Sequence, residues 1–393
     1  MIDQHSPNAP IVFIDDAHTF GGTQTSMAWM IRVLLLKTEI PVMWICTART
    51  RAGVEGIVGS HPRLEFVEAP SALPLNLFAF PLRLPAYWTL LHRIRRSGVR
   101  GWCLSLADIE FGLAPLLVLR SMGEEPRTYL HGTGRFVFFH RAGSWKRRLL
   151  SRVRDMVANR FVFRLHTSIA THSRASQAEV DFRVASRKRP HTGHLYVPPV
   201  GLTTGILQTP APPSAKGQPI ELWMIGNVIQ GHKNCLAALD LLEQLALQGH
   251  AATLTIAGVG PDLERLQQEG ERRGLADRIT YLGWLADPCA TAPKHAIVFV
   301  PSFHETMNLV AREAMRYGLR LVVSPIPVFH EWIPGALIAD DFSPRAFAAR
   351  TVQVSGMSAD ELAVLYRNAL DQFSDEIFLE NFFQFMNLRP DGT

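Results

Sequence analysis

The 393-residue chain holds only four cysteines, Cys46, Cys103, Cys235 and Cys289. They lie far apart and form no Cys-x-x-Cys pair, so neither a zinc site nor a disulfide framework is signalled. A reducing, cytoplasmic setting is the expectation. No apolar run reaches the roughly 18 residues that a membrane-spanning helix needs. The nearest, "LNLFAFPLRLPAYWTLL", is broken by Arg83 and by prolines. The opening "MIDQHSPNAP" is polar, unlike a secretory signal. Excess charge is scarce too: 40 Lys and Arg against 35 Asp and Glu leave a net +5, and its distribution is more informative than its sum.

What is present is a core. With 47% hydrophobic and 19% charged residues the chain reads as globular, and its length suits two or three domains at about 150 residues each. "PIVFIDD", "IPVMWICTA", "GWCLSLAD", "RTYLHG", "TSIATHS" and "HLYVPPVG" read as strands. Helical patterns stand between them, including "SMAWMIRVLLL", "IEFGLAPLLVLRSM" behind a capping Asp108, and "SWKRRLLSRVRDMVANRFVF". "LTTGILQTPAPPSAKGQP" has no periodicity and reads as a linker. Alternation then restarts with "IELWMIGN", "NCLAALDLLEQLALQG" ending on Gly249, "ATLTIAG", "PDLERLQQEGERRG", "ITYLGW", "HAIVFVPS", "LVAREAMRYG" and "RLVVSP". Strand–helix alternation predicts parallel sheets covered by helices. The expected plan is α/β, with two Rossmann-like domains over residues 1–203 and 220–372, a linker at 204–219, and a last helix over 373–393. That helix crosses back to the first domain to bury Phe378, Phe382, Phe383 and Phe385.

The stretch "PSFHETMNLVAREAM" carries Glu305 and Glu313 with seven residues between them. A helix starting near Asn308 points free N–H groups toward the end of the preceding strand, and such an end binds phosphate. Ligands of open parallel sheets sit beyond the carboxyl ends of the strands. Two acids there suit sugar or ribose hydroxyls better than phosphate. The competing reading is a dipole-favouring Glu305 and a solvated Glu313.

The context of that stretch decides between the two. "VPSFHETMNLVAREAMRYGLRLVVS" resembles the donor-site segment of retaining GT-B glycosyltransferases of family 4. "LTIAGVGPDLERLQQEGERRGLADRITYLGWL" is similar to that family's Gly-x-Gly-Pro segment, "GHKN" to its donor-phosphate lysine loop, "VPPVG" to the end of its first domain, and "GGT" to its first glycine turn. The resemblance implies a GT-B fold with the two sheets facing across a cleft. It implies that Glu313 holds the ribose, Glu305 a donor-sugar hydroxyl, backbone N–H groups near Asn308, Leu309 and Val310 the diphosphate, and Lys233 its charge. Asn227 and Trp284 would border the nucleotide, Gly22 and Thr23 would let the first domain approach it, and His131 would line the cleft near the sugar. Glu331 matches a family glutamate, with a helix-start role as the plainer reading.

Two departures stand out. Asn227 occupies the place of the family's arginine, leaving one diphosphate cation missing unless His232 or a first-domain residue replaces it. Thr306, Met307 and Asn308 stand where the family has Gly-Phe-Gly, beside the donor sugar. No Asp-x-Asp occurs, which removes the usual metal clamp for a diphosphate, so no metal and no cofactor beyond a UDP- or GDP-linked sugar is expected.

The expected activity is transfer of the sugar to a hydroxyl of a saccharide or lipid-linked saccharide in envelope or exopolysaccharide synthesis. A nucleotide-sugar epimerase and a non-catalytic partner subunit are the rivals. Between Arg135 and Arg164 nine basic residues face one acid, Asp155. No nucleic-acid motif accompanies them. Lys146, Arg147 and Arg148 are therefore the expected contacts to an anionic membrane surface, at about 1 kcal/mol each, which would make the protein peripheral at the inner face of the plasma membrane.

Overall fold

The computed structural model describes residues 8–15, 17, 20–70, 80–107, 112–132, 145, 149, 153, 156–157, 161–185, 195–196, 207–213 and 217–388. The described residues fall into two compact units. One lies within Met1–Val137, Leu149–Thr203 and Phe373–Thr393, and the other within Phe138–Arg148 and Thr204–Gln372.

The first unit is built on seven parallel strands, β1 (Ile11–Asp15), β2 (Val42–Cys46), β3 (Leu64–Glu68), β4 (Gly101–Leu106), β5 (Arg127–Leu130), β6 (Ser168–Thr171) and β7 (Leu195–Tyr196). Their order is β3-β2-β1-β4-β5-β6-β7. Every residue of β1 and β2 is buried, as a strand covered on both faces requires. Alternate residues of β1 divide between two cores. Val12 and Ile14 join one with Leu91 and Leu119, from helices Leu84–Arg96 and Leu113–Ser121. Ile11 and Phe13 join the other, with Met27 and Ile31 of helix Gly22–Lys37. The chain's last helix, Asp375–Met386, lies in that second core: Phe378, Phe382, Phe383 and Phe385 are buried there, and Phe382 stacks on Phe13 at 5.9 Å.

The second unit has five parallel strands, β8 (Ile220–Ile225), β9 (Ala252–Ala257), β10 (Ile279–Tyr281), β11 (Ile297–Val300) and β12 (Arg320–Val323), in the order β10-β9-β8-β11-β12. In both sheets the strand order reverses beside the first strand, between β1 and β4 and between β8 and β11. These are the topological switch points, where loops diverge and leave a crevice.

Some boundaries differ from the sequence reading. The first helix begins at Gly22, so Gly22 and Thr23 form its opening turn and not a loop. The helix expected behind Asp108 begins only at Leu113, behind a left-handed Gly112, and Asp108 lies outside the described residues. Glu331 stands near the end of helix Pro327–Trp332, not at a helix start. Strand β3 and helices Ala48–Val58 and Leu84–Arg96 were not anticipated: "LEFVE" is only partly buried at the sheet edge, and Pro85 sits in a first helical turn, where proline is tolerated.

Candidate active site

The second switch point is assembled from the loops that leave β8 and β11. The β8 loop continues the ladder beyond its strand: Gly226 N–H donates to Ala257 O (3.0 Å), Val228 N–H to Val259 O (3.0 Å) and Asp262 N–H to Val228 O (3.2 Å). So close a run of backbones leaves no space for side chains. A Cβ on Gly258 would lie 1.9 Å from Gly226 O, and one on Gly260 2.3 Å from Val228 O. The Asp262 carboxylate accepts from Gln230 N–H at 2.8 Å, which starts the four-residue helix Gln230–Lys233. Phe303 N–H donates to His232 O at 2.9 Å and ties that turn to the β11 loop.

Lys233 and Glu305 meet across the switch point. Lys233 Nζ lies 2.6 Å from Glu305 Oε1, and Ser302 Oγ donates to the same oxygen at 2.6 Å. Ser324 Oγ donates in turn to Ser302 O at 2.6 Å. The Glu305 side chain is 8% exposed. Burial alone would raise its pKa, but Lys233, His232 and the two hydrogen bonds outweigh burial and bring it down to about 2. The carboxylate is therefore fixed and ionised, and Oε2 makes no hydrogen bond to any described residue.

Asn308 follows at φ 112° and caps helix Leu309–Arg316, its side chain accepting from Ala311 N–H at 2.8 Å. The N–H groups of Leu309 and Val310 donate to no group among the described residues. They sit at the positive end of the helix dipole, equivalent to about half a charge. One turn on, the Glu313 side chain makes no hydrogen bond to any described residue. Burial first, then the Asp287 carboxylate, raise its pKa to about 7 against the opposing Arg312. Asp287 is held by Tyr317 Oη at 2.5 Å and by Ala290 N–H at 3.0 Å. Ionisation of an acid in this position costs stability. The folded state binds more protons than the unfolded between about pH 4.5 and 7, so stability falls with rising pH through that window. Glu313→Gln is expected to remove that slope: melting temperatures at pH 5 and pH 8 should differ less in the variant than in the wild type.

At the neighbouring strand exits Trp284 is 70% exposed, with Val259 and Leu282 also exposed, so Trp284 is a surface residue and not a core one. Asn227 is exposed.

The carboxyl edge of the first sheet carries buried polar groups at five strand ends: Asp15, Thr47, Ser105, His131 and His172. Gln24 Nε2 reaches both Asp15 oxygens, at 3.3 and 3.1 Å. His131 has both ring nitrogens engaged, Nε2 with Ser105 Oγ at 2.9 Å and Nδ1 with His172 Nε2 at 2.7 Å. His172 Nδ1 meets Tyr129 Oη at 3.0 Å. Burial, with His172 beside it, holds the His131 pKa well below the ordinary range, so His131 is neutral.

Lys146, Arg147 and Arg148 lie outside the described residues. Trp145, Leu149, Val153 and Met156, which are described, are exposed.

Sequence reasoning missed Ser302, His172 and the Asp287–Tyr317 pair. A polar cluster closing an apolar strand, "ATHS", was the available signal for His172. Asp287 and Tyr317 are joined only by the fold.

Residues 219–356 match the family model described as glycosyl transferases group 1. No curated protein matches the chain by sequence. Solved structures match over nearly all of it. A lipopolysaccharide outer core galactosyltransferase, WaaB, is 16% identical with a TM-score of 0.64, over 96% of this chain and 99% of its own. HepE of Anabaena, in complex with UDP-glucose, is 14% identical with a TM-score of 0.66, over 96% and 100%. The fold is GT-B. An α,α-trehalose 6-phosphate synthase from Burkholderia multivorans shares it at 13% identity and a TM-score of 0.63, over 96% and 98%. In the GT-B frame the Lys233–Glu305 pair lies in the C-terminal Rossmann-like domain, and the His131–His172 chain lies in the N-terminal one.

Proposed function

We propose that this chain is a glycosyltransferase that moves a sugar from a nucleotide-sugar to a hydroxyl acceptor. The observation that carries the reading is the meeting of Lys233 and Glu305 at the β8/β11 switch point, 2.6 Å apart, beside a helix N-terminus with open amides. The family match over the same residues supports it.

In this reading Glu313 accepts from the ribose hydroxyls, and Glu305 Oε2 accepts from a donor-sugar hydroxyl. The amides of Leu309 and Val310 and the Lys233 ammonium receive the diphosphate. The bond from the anomeric carbon to the diphosphate oxygen breaks. A bond to the acceptor oxygen forms on the same face, and the acceptor proton passes to the leaving diphosphate, so configuration is retained. Positive ends already in place stabilise the departing charge without reorganisation. The solved complex of HepE with UDP-glucose favours UDP as the carrier. The acceptor is a saccharide, free or lipid-linked. The exposed Leu149, Val153 and Met156, set in a segment rich in arginine, support docking on an anionic bilayer.

A panel of UDP-, GDP- and ADP-sugars with saccharide acceptors tests the reading by release of nucleoside diphosphate. Release with one nucleotide is the expected result, and no release with any donor or acceptor overturns it. An epimerised donor formed without acceptor would replace it with an epimerase. Because the chain has no Asp-x-Asp clamp, release is expected to proceed unchanged in excess EDTA. Loss restored by Mg²⁺ or Mn²⁺ would replace the Lys233 and helix model of charge neutralisation with a metal one.

A further inference from the structure

The donor site proposed above lacks fixed positive charge for the anion assigned to it. A nucleoside diphosphate brings at least two negative charges. In the two loops that meet at the switch point, residues 226–233 and 301–308, the one permanent cation is Lys233. It is already 2.6 Å from Glu305, so the pair sums to zero. Asn227 is neutral, and Arg312 is buried beside Glu313. The helix dipole contributes only about half a charge.

His232 stands on the same turn as Lys233. Its carbonyl is bonded by Phe303 N–H, and its ring centroid lies 6.3 Å from that of His304. We propose that His232 is the second cation of the diphosphate site and that it takes up a proton as the diphosphate arrives.

The surroundings explain why the charge appears only then. Burial lowers the His232 pKa, and Lys233 lowers it further. Glu305 and a hydrogen bond to the His304 backbone oppose them without cancelling the effect. Asp262 heads the short helix, but its carboxylate is committed to Gln230 N–H. The imidazole is therefore neutral at pH 7.5 before an anion arrives. An arriving dianion reverses the sign of the local field, and the same histidine then favours its protonated form. Proton uptake and anion affinity are linked, so affinity falls as pH rises through the bound-state pKa of His232.

The inference rests on the donor-site reading, and one experiment separates their failures. Titration calorimetry of UDP, GDP and ADP against the full chain, in buffers of different ionisation enthalpy at pH 7.5, counts the protons exchanged per ligand bound. Glu313 releases part of a proton when hydroxyls reach it, in wild type and variant alike, so the difference between them is the quantity read. The expected result is that wild type takes up about half a proton or more beyond His232→Asn. The variant should bind about tenfold or more weakly at pH 6.5 and approach wild type at pH 8.5. His232→Arg, permanently charged, should bind at least as well as wild type at pH 8.5 and keep only the pH dependence that His232→Asn shows. His304→Asn should keep the uptake. Thermal melts establish that each variant is folded. Binding with equal proton numbers in wild type and His232→Asn overturns the inference alone, as does loss of the uptake in His304→Asn in place of His232→Asn. If no nucleotide binds, the donor-site reading fails and takes the inference with it.

Discussion

Replacing Glu305 by alanine is expected to lower the turnover of sugar transfer by about 10- to 150-fold, the worth of one hydrogen bond to a charged group at about 1.5–3 kcal/mol. Nucleoside diphosphate affinity should change far less, and in the direction of tighter binding. The reason lies in the pairing: Glu305 holds Lys233 Nζ at 2.6 Å, and its removal leaves a 25% exposed ammonium without its neutralising partner. The freed charge suits the diphosphate, while the sugar loses the carboxylate that would orient it. An interaction made to the transferring group appears in kcat, and uniform nucleotide binding appears in KM. Glu313→Ala should divide the other way, weakening nucleotide binding about tenfold or more with a smaller change in kcat. Steady-state kinetics with UDP calorimetry separates the two. Wild-type kinetics in both variants would remove both glutamates from the donor site.

The second large effect is on folding. Gly258→Ala places a methyl group where Gly226 O already stands, 1.9 Å away. The Cβ is fixed in place by its own backbone and the oxygen is a backbone atom, so no side chain can rotate aside, and the exits of β8 and β9 must separate. We expect a loss of about 3 kcal/mol or more, a fall in melting temperature of about 6–12 °C for a unit of this size, and loss of UDP binding with it. Gly260→Ala meets Val228 O at 2.3 Å and should behave alike. Gly283→Ala also changes a loop glycine, but no atom lies within 4 Å of its Cβ. It is the control for crowding and should report only the cost of a positive φ. Equal melting temperatures for wild type and Gly258→Ala would mean that the ladder between these loops is not maintained in solution.

The alternation of strands and helices was legible because the buried strands of a parallel sheet are nearly continuous apolar runs. "IVFID" and "VMWIC" are buried at every position, and their short length and β-branched and aromatic content favour strands over helices. "LEFVE" escaped notice because an edge strand is buried on neither side completely. That Lys233 and Glu305 belong to one site was legible only through family resemblance: the two residues come from loops brought together by adjacent strands that are not consecutive in the chain. The pairing of the two with each other was not foreseen, since the expected contacts were to a ligand. His131 was found as a strand-end histidine, but its commitment to Ser105 and His172 is a property of three strand ends at once.

The stacking of Phe382 on Phe13 has a consequence for synthesis on the ribosome. The first strand is made well before the phenylalanines that cover one face of its sheet, with all of Thr204–Gln372 between them in the chain. Domains made during synthesis ordinarily fold in order from the N-terminus. Here the sheet made first keeps an apolar face open until helix Asp375–Met386 is made, whereas Thr204–Gln372 is complete before that helix exists. The later-made unit can therefore finish folding first. A nascent chain stalled before Ser374 would carry a folded Thr204–Gln372 unit joined to an unclosed N-terminal sheet, the form of the protein most in need of a chaperone.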